Sequence, residues 1–464
     1  MENGISTSRL SFETVVLPCN PSSIHFPSSS SASLPTITDP STRSSLQIAS
    51  EHLRSSHLVV FPTETVYGLA ANALSSRATA DIFRTKGRPQ DNPLIVHISS
   101  LEMLKLVVDE GFVIPETYQR LMDAFWPGPL TLLFPVKKRE RKGDSDDKGA
   151  VVVGGDGGVP EEVTAGHSTV AVRMPSHPVA RALIAFSGLP LAAPSANTSG
   201  RPSPTKAEHV YHDLKGKVRY ILDGGACDVG VESTVVDGLG EKKDAQSESG
   251  TESVVRVLRP GGVTVEQMQR VLGEGVRVLV HRRDYRDEQL ESQPTTPGMK
   301  YRHYSPTCPV YLVTSRQPPS SSYSTEDIPV EALLKEITEE LCTRSKTRSQ
   351  GLRIGLLSLT GSRLTRALLA TEAQQRFASS GGGPVGLDWV HSPLGMLTGS
   401  SDMGEGERDL SEPARRLFDG LIGLERQGVD AIVVEGVPEE REGLAFMNRV
   451  RKAAGKSYSV ALPK

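Results

Sequence analysis

What the chain lacks first is a surplus of charge: 52 Lys and Arg stand against 55 Asp and Glu over 464 residues, a formal balance of −3. A chain-wide attraction for nucleic acid is therefore excluded, and only a local basic patch remains open. Cysteine is scarce as well. Cys19, Cys227, Cys308 and Cys342 lie far apart with no C-x-x-C pair, which excludes a disulfide framework or a thiolate zinc site and fits a reducing compartment. No apolar run approaches the ~20 residues of a membrane helix, so a soluble, cytoplasmic protein is expected, with a mitochondrial fraction as the alternative. The first 45 residues lack both the apolar core of a secretory signal and the Arg-rich pattern of a strong transit peptide. Rich in Ser, Pro and Thr, residues 1–45 read as a disordered tail, with weak organelle targeting as the other reading.

Aromatics make up only 5% of the chain, whereas 43 Gly and 32 Pro suit an α/β protein with many short, shaped loops. Single cores stop growing near ~250–300 residues, so two domains are expected. Leu58-Val-Val-Phe61 reads as a buried strand stopped by Pro62, which places the Thr63-Glu-Thr65 loop at a strand's carboxyl end. A helix comes next, capped by Ser75 or Ser76 and closed by Gly87 after Lys86. Leu94 to Ile98 predicts a second strand with His97 embedded in it. Further strands are expected at Leu130 to Phe134, Val170 to Arg173, Tyr220 to Asp223, Ser233 to Asp237 and Val254 to Leu258. The stretches 137–166 and 240–252 lack periodicity and read as surface insertions. Past Gly273 the chain turns charged, and Pro294 to Pro306 reads as an extended connector. Beyond it, strands at Val310 to Thr314, Arg353 to Leu359 and Ala431 to Gly436 alternate with helical patterns, as in a small parallel βαβ sheet. The clearest of those helices starts at Ser411 and stacks Ala414, Leu417, Leu421 and Leu424 on one face.

Two nucleotide-loop signatures fail on context. Gly381-Gly-Gly-Pro-Val-Gly386 comes after a helical pattern and leads into no clear helix, and Gly455-Lys-Ser457 lacks the first glycine of a P-loop. Other clusters sit where ligands can reach them, at breaks in regular structure. Thr63, Glu64, Thr65 and Tyr67 crowd polar groups that could hold a small zwitterion or simply form a turn. Lys86-x-Arg88 supplies two cations that converge once Gly87 breaks the helix, an arrangement suited to phosphate oxygens or to solvent. His97 is either a satisfied core histidine or a ligand. Arg173 ends a strand before Met174-Pro175, where its fork could grip a carboxylate or form a structural ion pair. Pro194-Ser-Ala-Asn-Thr-Ser-Gly200, with Ser203 beyond, is an array of small donors of the kind that forms anion nests. No G-x-S-x-G elbow surrounds Ser195, so it is not expected to act as a nucleophile. Glu232-Ser-Thr234 begins a strand and Arg259-Pro-Gly-Gly262 ends one. Trp126-Pro-Gly-Pro129 reads as a rigid turn.

Read together, these segments resemble the threonylcarbamoyl-AMP synthase family of the YrdC/YwlC type. The resemblance rests on Phe61 to Ala73, Lys86 to His97, Phe125 to Pro135, Val170 to Pro178, Pro190 to Pro204, Ile221 to Asp237 and Arg256 to Gly262. Lys86-x-Arg88 and Ser195-x-Asn197 match that family's KxR and SxN signature. The connector Pro297-Gly-Met-Lys-Tyr-Arg-His-Tyr-Ser-Pro306 and the βαβ pattern C-terminal to it look like its long, two-domain form. The resemblance implies a YrdC-like twisted mixed α/β sheet around a large cavity over 46–270, a linker or lid over 271–307, and a Rossmann-like βαβ domain over 308–464. It implies that L-threonine, bicarbonate and ATP give threonylcarbamoyl-AMP and pyrophosphate, with Mg²⁺ carried on the phosphates. It also implies that a downstream complex passes the threonylcarbamoyl group to tRNA. Thr65, His97, Arg173, Ala193, Ser233 and Thr234 would form the threonine pocket; Lys86, Arg88, Asn92, Thr169, Ser195, Asn197, Ser203 and Arg259 would hold ATP and the intermediate. Tyr304, and Tyr301 beside it, would cover the nucleotide from the connector. An RNA-binding regulatory module of the same fold is the alternative.

Overall fold

A computed structural model of the chain describes residues 13–27, 34–137, 158–239, 253–293, 295–297, 303–315, 327–344, 351–370, 377–378, 384–396 and 409–462. Most of the described strands fall into an eleven-stranded and a six-stranded sheet. In the larger, the spatial order is Val15–Pro18, Tyr220–Asp223, Val59–Phe61, Gly68–Asn72, Leu191–Ala192, Ile95–His97, Thr169–Arg173, Leu130–Pro135, Thr234–Asp237, Ser253–Arg259 and Val276–Val280. Parallel and antiparallel pairs mix along it, the expected α/β arrangement.

The apolar run Val59-Val-Phe61 is buried on both faces because alternate residues serve different cores. Val60, Leu69 and Ala71 join Ile82 and Phe83 of the helix Ser76–Lys86. Val59, Phe61 and Ala70 join Leu46 and Leu53 of Pro40–Arg54 and Leu183 of Pro178–Ser187. Helix Ser76–Lys86 begins where the Ser75 side chain accepts from the Ala78 N–H and ends at Gly87, whose φ of 63° only glycine adopts without strain. Lys86 and Arg88 therefore leave the helix at its exit, as expected. Strand register aligns the site: His97 pairs with Arg173, and Arg173 pairs with Thr131 on its other side. Paired residues project to the same face, so one row across three strands carries these polar side chains.

The structure departs from the sequence reading in several places, among them the expected tail, where Ile24–His25 pairs with Thr36–Ile37 and the helix Pro40–Arg54 begins. Val15–Pro18, placed in the expected disordered tail, is an edge strand parallel to Tyr220–Asp223, because its partner supplies a ladder that four residues cannot supply alone. Val276–Val280, placed in the linker, pairs parallel with Ser253–Arg259, its valines facing inward between less buried neighbours. Within the expected insertion at 137–166, Val163 is fully buried and its carbonyl accepts from the Leu94 N–H at 2.8 Å. Residues 138–157 and 240–252 lie outside the described residues.

The smaller sheet is parallel throughout, in the order Ile328–Pro329, Lys456–Ala461, Val310–Ser315, Ala431–Glu435, Leu352–Ser358 and Leu387–Pro393. Helices cover both faces, as parallel sheets require. Tyr311, Val313 and Val433 pack with Val330–Arg344 and Arg363–Ala370, whereas Val310, Leu312, Ile432 and Val434 pack with Ser411–Arg426 and Glu442–Ala453. That second face docks on the larger sheet. Arg201 grips Glu425 through two bonds of 2.7 Å, and Lys206 meets Asp419 at 2.7 Å. At Gly230, with φ of 74°, an added Cβ lies 2.4 Å from both the Cα and the carbonyl oxygen of Arg415. Gly230→Ala is expected to cost about 1–3 kcal/mol through that overlap and the left-handed φ together. Gly188→Ala, with φ of 68° and nothing within 4 Å of the added Cβ, is the control for φ alone. Equal losses in equilibrium unfolding would show that the Arg415 contact contributes nothing.

Candidate functional site

The loops at the strand ends line an open cavity whose empty space, with the solvent at its mouth included, is about 740 Å³. Thr65, Lys86, Arg88, His97, Arg173, Ala193, Ser195, Asn197, Ser203, Ser233, Arg259 and Tyr304 all line it. The structure does not bring Asn92, Thr169 or Thr234 onto that wall. The Thr234 hydroxyl donates to the Val263 carbonyl at 2.5 Å and accepts from the Val263 N–H at 2.9 Å, so it ties a loop. The Asn92 main-chain carbonyl accepts from Arg88 Nε at 3.1 Å, while its side-chain Oδ1 and Nδ2 are buried without a hydrogen-bond partner among the described residues. Thr169 pairs with Pro135 at the start of its strand. Tyr301 lies outside the described residues.

At one end, Arg173 is held from three sides. Its Nη2 meets Glu64 Oε1 at 2.6 Å, its Nη1 donates to the Thr65 hydroxyl at 2.9 Å, and its Nε donates to the Gly128 carbonyl at 3.2 Å. The structural ion pair is therefore present, and it lies on the cavity wall. Three of its five N–H donors are engaged in these bonds, leaving donors on Nη1 and Nη2. The Thr65 and Thr63 hydroxyls are 2.9 Å apart, and Thr63 donates onward to the Val66 carbonyl at 2.7 Å, which turns the Thr65 hydrogen toward Thr63. Glu64 also accepts from the Ser176 and His177 N–H groups, so one carboxylate sets both Arg173 and the turn beyond it. The Trp126 to Pro129 turn acts here too, through the Gly128 carbonyl. His97 Nδ1 lies 3.2 Å from the Ile95 carbonyl. Burial, with Arg173 beside it, lowers His97 to about 3 and keeps it neutral. Ser233 reaches Thr131 at 2.8 Å, and the Ala193 N–H is spent on the Ile95 carbonyl.

The other end crowds cations. Lys86 Nζ donates to the Ser195 and Asn197 carbonyls, which fixes the Ser-x-Asn loop to the Lys-x-Arg helix exit. Burial, with Arg88 adding to it, pushes the lysine well below its usual range. Burial likewise lowers Arg88 and Arg259 to about 10, with each depressed further by neighbouring arginines. Like charges packed where water screens them little make this end a candidate anion site. Arg259 donates to the Ser233 carbonyl at 2.9 Å and to the Pro297 carbonyl at 3.2 Å, which fastens the connector to the wall. Tyr304, with φ of 65°, holds a backbone conformation rare for an aromatic residue. Its ring lies 5.2 Å from Phe418, and the next N–H, Ser305, donates to the Gly200 carbonyl at 2.8 Å. Burial, with Glu232 nearby, raises the Tyr304 phenol to about 12.

Sequence reasoning misses the groups that hold these side chains. Glu64 belongs to the Thr63-Glu-Thr65 motif, but its bond to Arg173 depends on pairing across 109 positions. Glu232 likewise belongs to the Glu232-Ser-Thr234 motif. It accepts from Ser203 at 2.6 Å and from Arg449 Nε at 2.9 Å, and Arg449 carries no sequence signal because it lies 217 positions away. Burial alone would raise the Glu232 carboxyl, yet Arg449, Arg259 and the Ser203 hydroxyl hold it down at about 2. His303, lowered to about 4 by burial and then by Arg88 and Lys452, joins the wall from the connector.

Because His97 is neutral in the fold and protonates near pH 6.5 when unfolded, the unfolded chain binds more protons between those values. Stability is thus complete above about 6.5 and is lost as the pH falls toward about 3. His97→Gln is expected to flatten the plot of unfolding free energy against pH in that window by up to about 1.4 kcal/mol per unit. An unchanged slope would contradict a neutral, buried His97.

Two family models match this chain. The Sua5/YciO/YrdC model, described as telomere recombination, covers residues 51–246, and the threonylcarbamoyl-AMP synthase C-terminal domain covers residues 263–455. The threonylcarbamoyl-AMP synthase of Schizosaccharomyces pombe is 41% identical over 89% of each chain. That of Bacillus subtilis is 38% identical over 87% of this chain and 91% of its own. The crystal structure of Pyrococcus abyssi Sua5 complexed with L-threonine superposes with a TM-score of 0.64 at 34% identity, covering 97% of this chain and 100% of that one.

Proposed function

We infer the activity from one premise: the chain belongs to the threonylcarbamoyl-AMP synthase family. It is an L-threonylcarbamoyladenylate synthase, making threonylcarbamoyl-AMP and pyrophosphate from L-threonine, bicarbonate and ATP for the threonylcarbamoyladenosine modification of tRNA beside the anticodon. In reaction class it is a nucleotidyltransferase. The threonine amine attacks bicarbonate and releases water; a carbamate oxygen then forms a bond to the α-phosphorus of ATP as the bond to pyrophosphate breaks. The observation that supports this reading most is the neighbourhood of the Thr65–Arg173 recess and the crowded cations Lys86, Arg88 and Arg259 within one cavity.

Each end has its task. Arg173 takes the threonine carboxylate with its remaining donors, while the Thr65 and Ser233 hydroxyls and neutral His97 position the amino acid. Lys86, Arg88 and Arg259 take the phosphates and offset the charge that develops as pyrophosphate leaves, which is electrostatic catalysis by donors already in place. Ser195, Asn197, Ser203 and Tyr304 complete the nucleotide end. Thr234 acts from behind the wall through the Val263 loop, and the Asn92 main chain through Arg88. Glu64 and Glu232 are both engaged by arginines, so Mg²⁺ arrives on phosphate oxygens as part of the substrate. The connector, tied at Pro297 and Tyr304, serves as a lid that keeps water from the carbamate and the adenylate. The adenylate is a reactive mixed anhydride, and a separate threonylcarbamoyl-transfer complex consumes it. An RNA-binding module would have no use for the recess around Arg173.

Pyrophosphate release is expected only when L-threonine, bicarbonate and ATP are all present; the same negligible rate in every combination would sink the reading. Arg173→Lys, which keeps charge but loses the fork, is expected to raise KM for threonine about tenfold or more and to leave KM for ATP nearly unchanged. Equal effects on both substrates would remove its assignment to threonine.

A further inference from the structure

The helix Glu442–Ala453 belongs to the smaller sheet, yet one of its residues ends beneath the cavity of the larger one. Arg449 is 0% exposed. Its Nε donates to Glu232 Oε2 at 2.9 Å and its Nη1 to the Pro260 carbonyl. Its guanidinium carbon lies 5.8 Å from the Tyr304 ring centre. Its Nη2 is buried without a hydrogen-bond partner among the described residues. Glu232 stands on the cavity wall and accepts the Ser203 hydroxyl on its other oxygen at 2.6 Å. Gly261 packs so closely on the same segment that an added Cβ would fall 2.3 Å from the Glu232 carbonyl.

We propose that Arg449 is a positioning residue for the nucleotide end of the cavity, setting Glu232 and, through it, the Ser203 hydroxyl, with the Tyr304 ring beside its guanidinium. The proposal rests on the reading that Ser203 and Tyr304 meet ATP. The geometry produces two effects. Together with Arg259, Arg449 offsets a carboxylate whose charge would otherwise repel incoming phosphates, at a place where low dielectric makes that repulsion strong. By holding Oε2 it also fixes the rotation of the Glu232 carboxylate, which sets Oε1 toward Ser203. A role in stability alone is a poor account of such a pair, because an apolar pair of similar volume stabilises as well or better once the cost of removing two charges from water is counted. By joining Glu232 to the carbonyl of Pro260, next to Arg259, the same guanidinium holds together two strand ends that carry nucleotide contacts.

The test uses the full chain and four variants, Arg449→Met, Arg449→Lys, Glu232→Gln with Arg449→Met, and Ser203→Ala. KM for ATP and for threonine are measured separately by pyrophosphate release, alongside thermal unfolding. Arg449→Met is expected to raise KM for ATP about tenfold or more while KM for threonine stays within about twofold, and Arg449→Lys to recover part of the loss. The double variant removes the buried charge and with it the repulsion of phosphates, so it is expected to regain most of the unfolding temperature but only part of KM for ATP, because Ser203 still lacks its fixed acceptor; it decides the matter even where Arg449→Met fails to fold. A wild-type KM for ATP in a folded Arg449→Met or in the double variant overturns the proposal, as does an equal rise for both substrates. If Ser203→Ala raises KM for ATP and the Arg449 variants do not, positioning fails and the nucleotide assignment stands. An unchanged KM for ATP in Ser203→Ala overturns that assignment and the proposal with it.

Discussion

Lys86, Arg88, Arg173 and Arg259 bring like charge into one cavity where water screens it little, and each is held by oxygen acceptors of the chain itself. That mutual repulsion is the constraint around which the loops are shaped. The Ser195 and Asn197 carbonyls turn inward to Lys86, the Asn92 and Pro93 carbonyls clasp Arg88, and the Ser233 carbonyl clasps Arg259. Glu64 and Glu232 supply the compensating carboxylates, one at each end. Donors fixed in this way need no rearrangement when an anion arrives, so the strain of assembling them is met in folding rather than during the reaction.

Features set by local chemistry are legible in the amino-acid order. The Ser75 cap and Gly87 exit of the helix Ser76–Lys86 depend on a few neighbouring residues, and the parallel C-terminal sheet announces itself through short buried strands between helical patterns. Edge strands are harder to read. Val15–Pro18 and Val276–Val280 owe their form to a partner strand elsewhere in the chain, and polar flanks hide four or five mostly apolar residues. Motif reading brings the right segments together but does not show which way each side chain faces. Ser233 lies just before the strand Thr234–Asp237 and meets the cavity, whereas the Thr234 hydroxyl turns to the Val263 main chain. The Glu232–Arg449 pair lies beyond the reach of sequence because it depends on how two sheets dock.

Docking has a functional meaning because the site's wall is shared. Tyr304 belongs to the apolar cluster of the smaller sheet and also lines the cavity, and Val66, from the loop beside Thr65, packs into the same cluster. The bidentate Arg201–Glu425 pair lies next to Gly200, whose carbonyl anchors the segment bearing Tyr304, and Glu425 also accepts from Thr307. The connector is thereby tied to both bodies at once, at Pro297 on one and at Thr307 on the other.

The seat of Gly230 on Arg415 brings main chain against main chain, with no side chain between them to bend. Side-chain interfaces have compliance, because rotamers absorb small displacements; this point of contact has almost none. A side chain at position 230 would wedge the two bodies apart, so the closeness of their seat depends on that position remaining glycine.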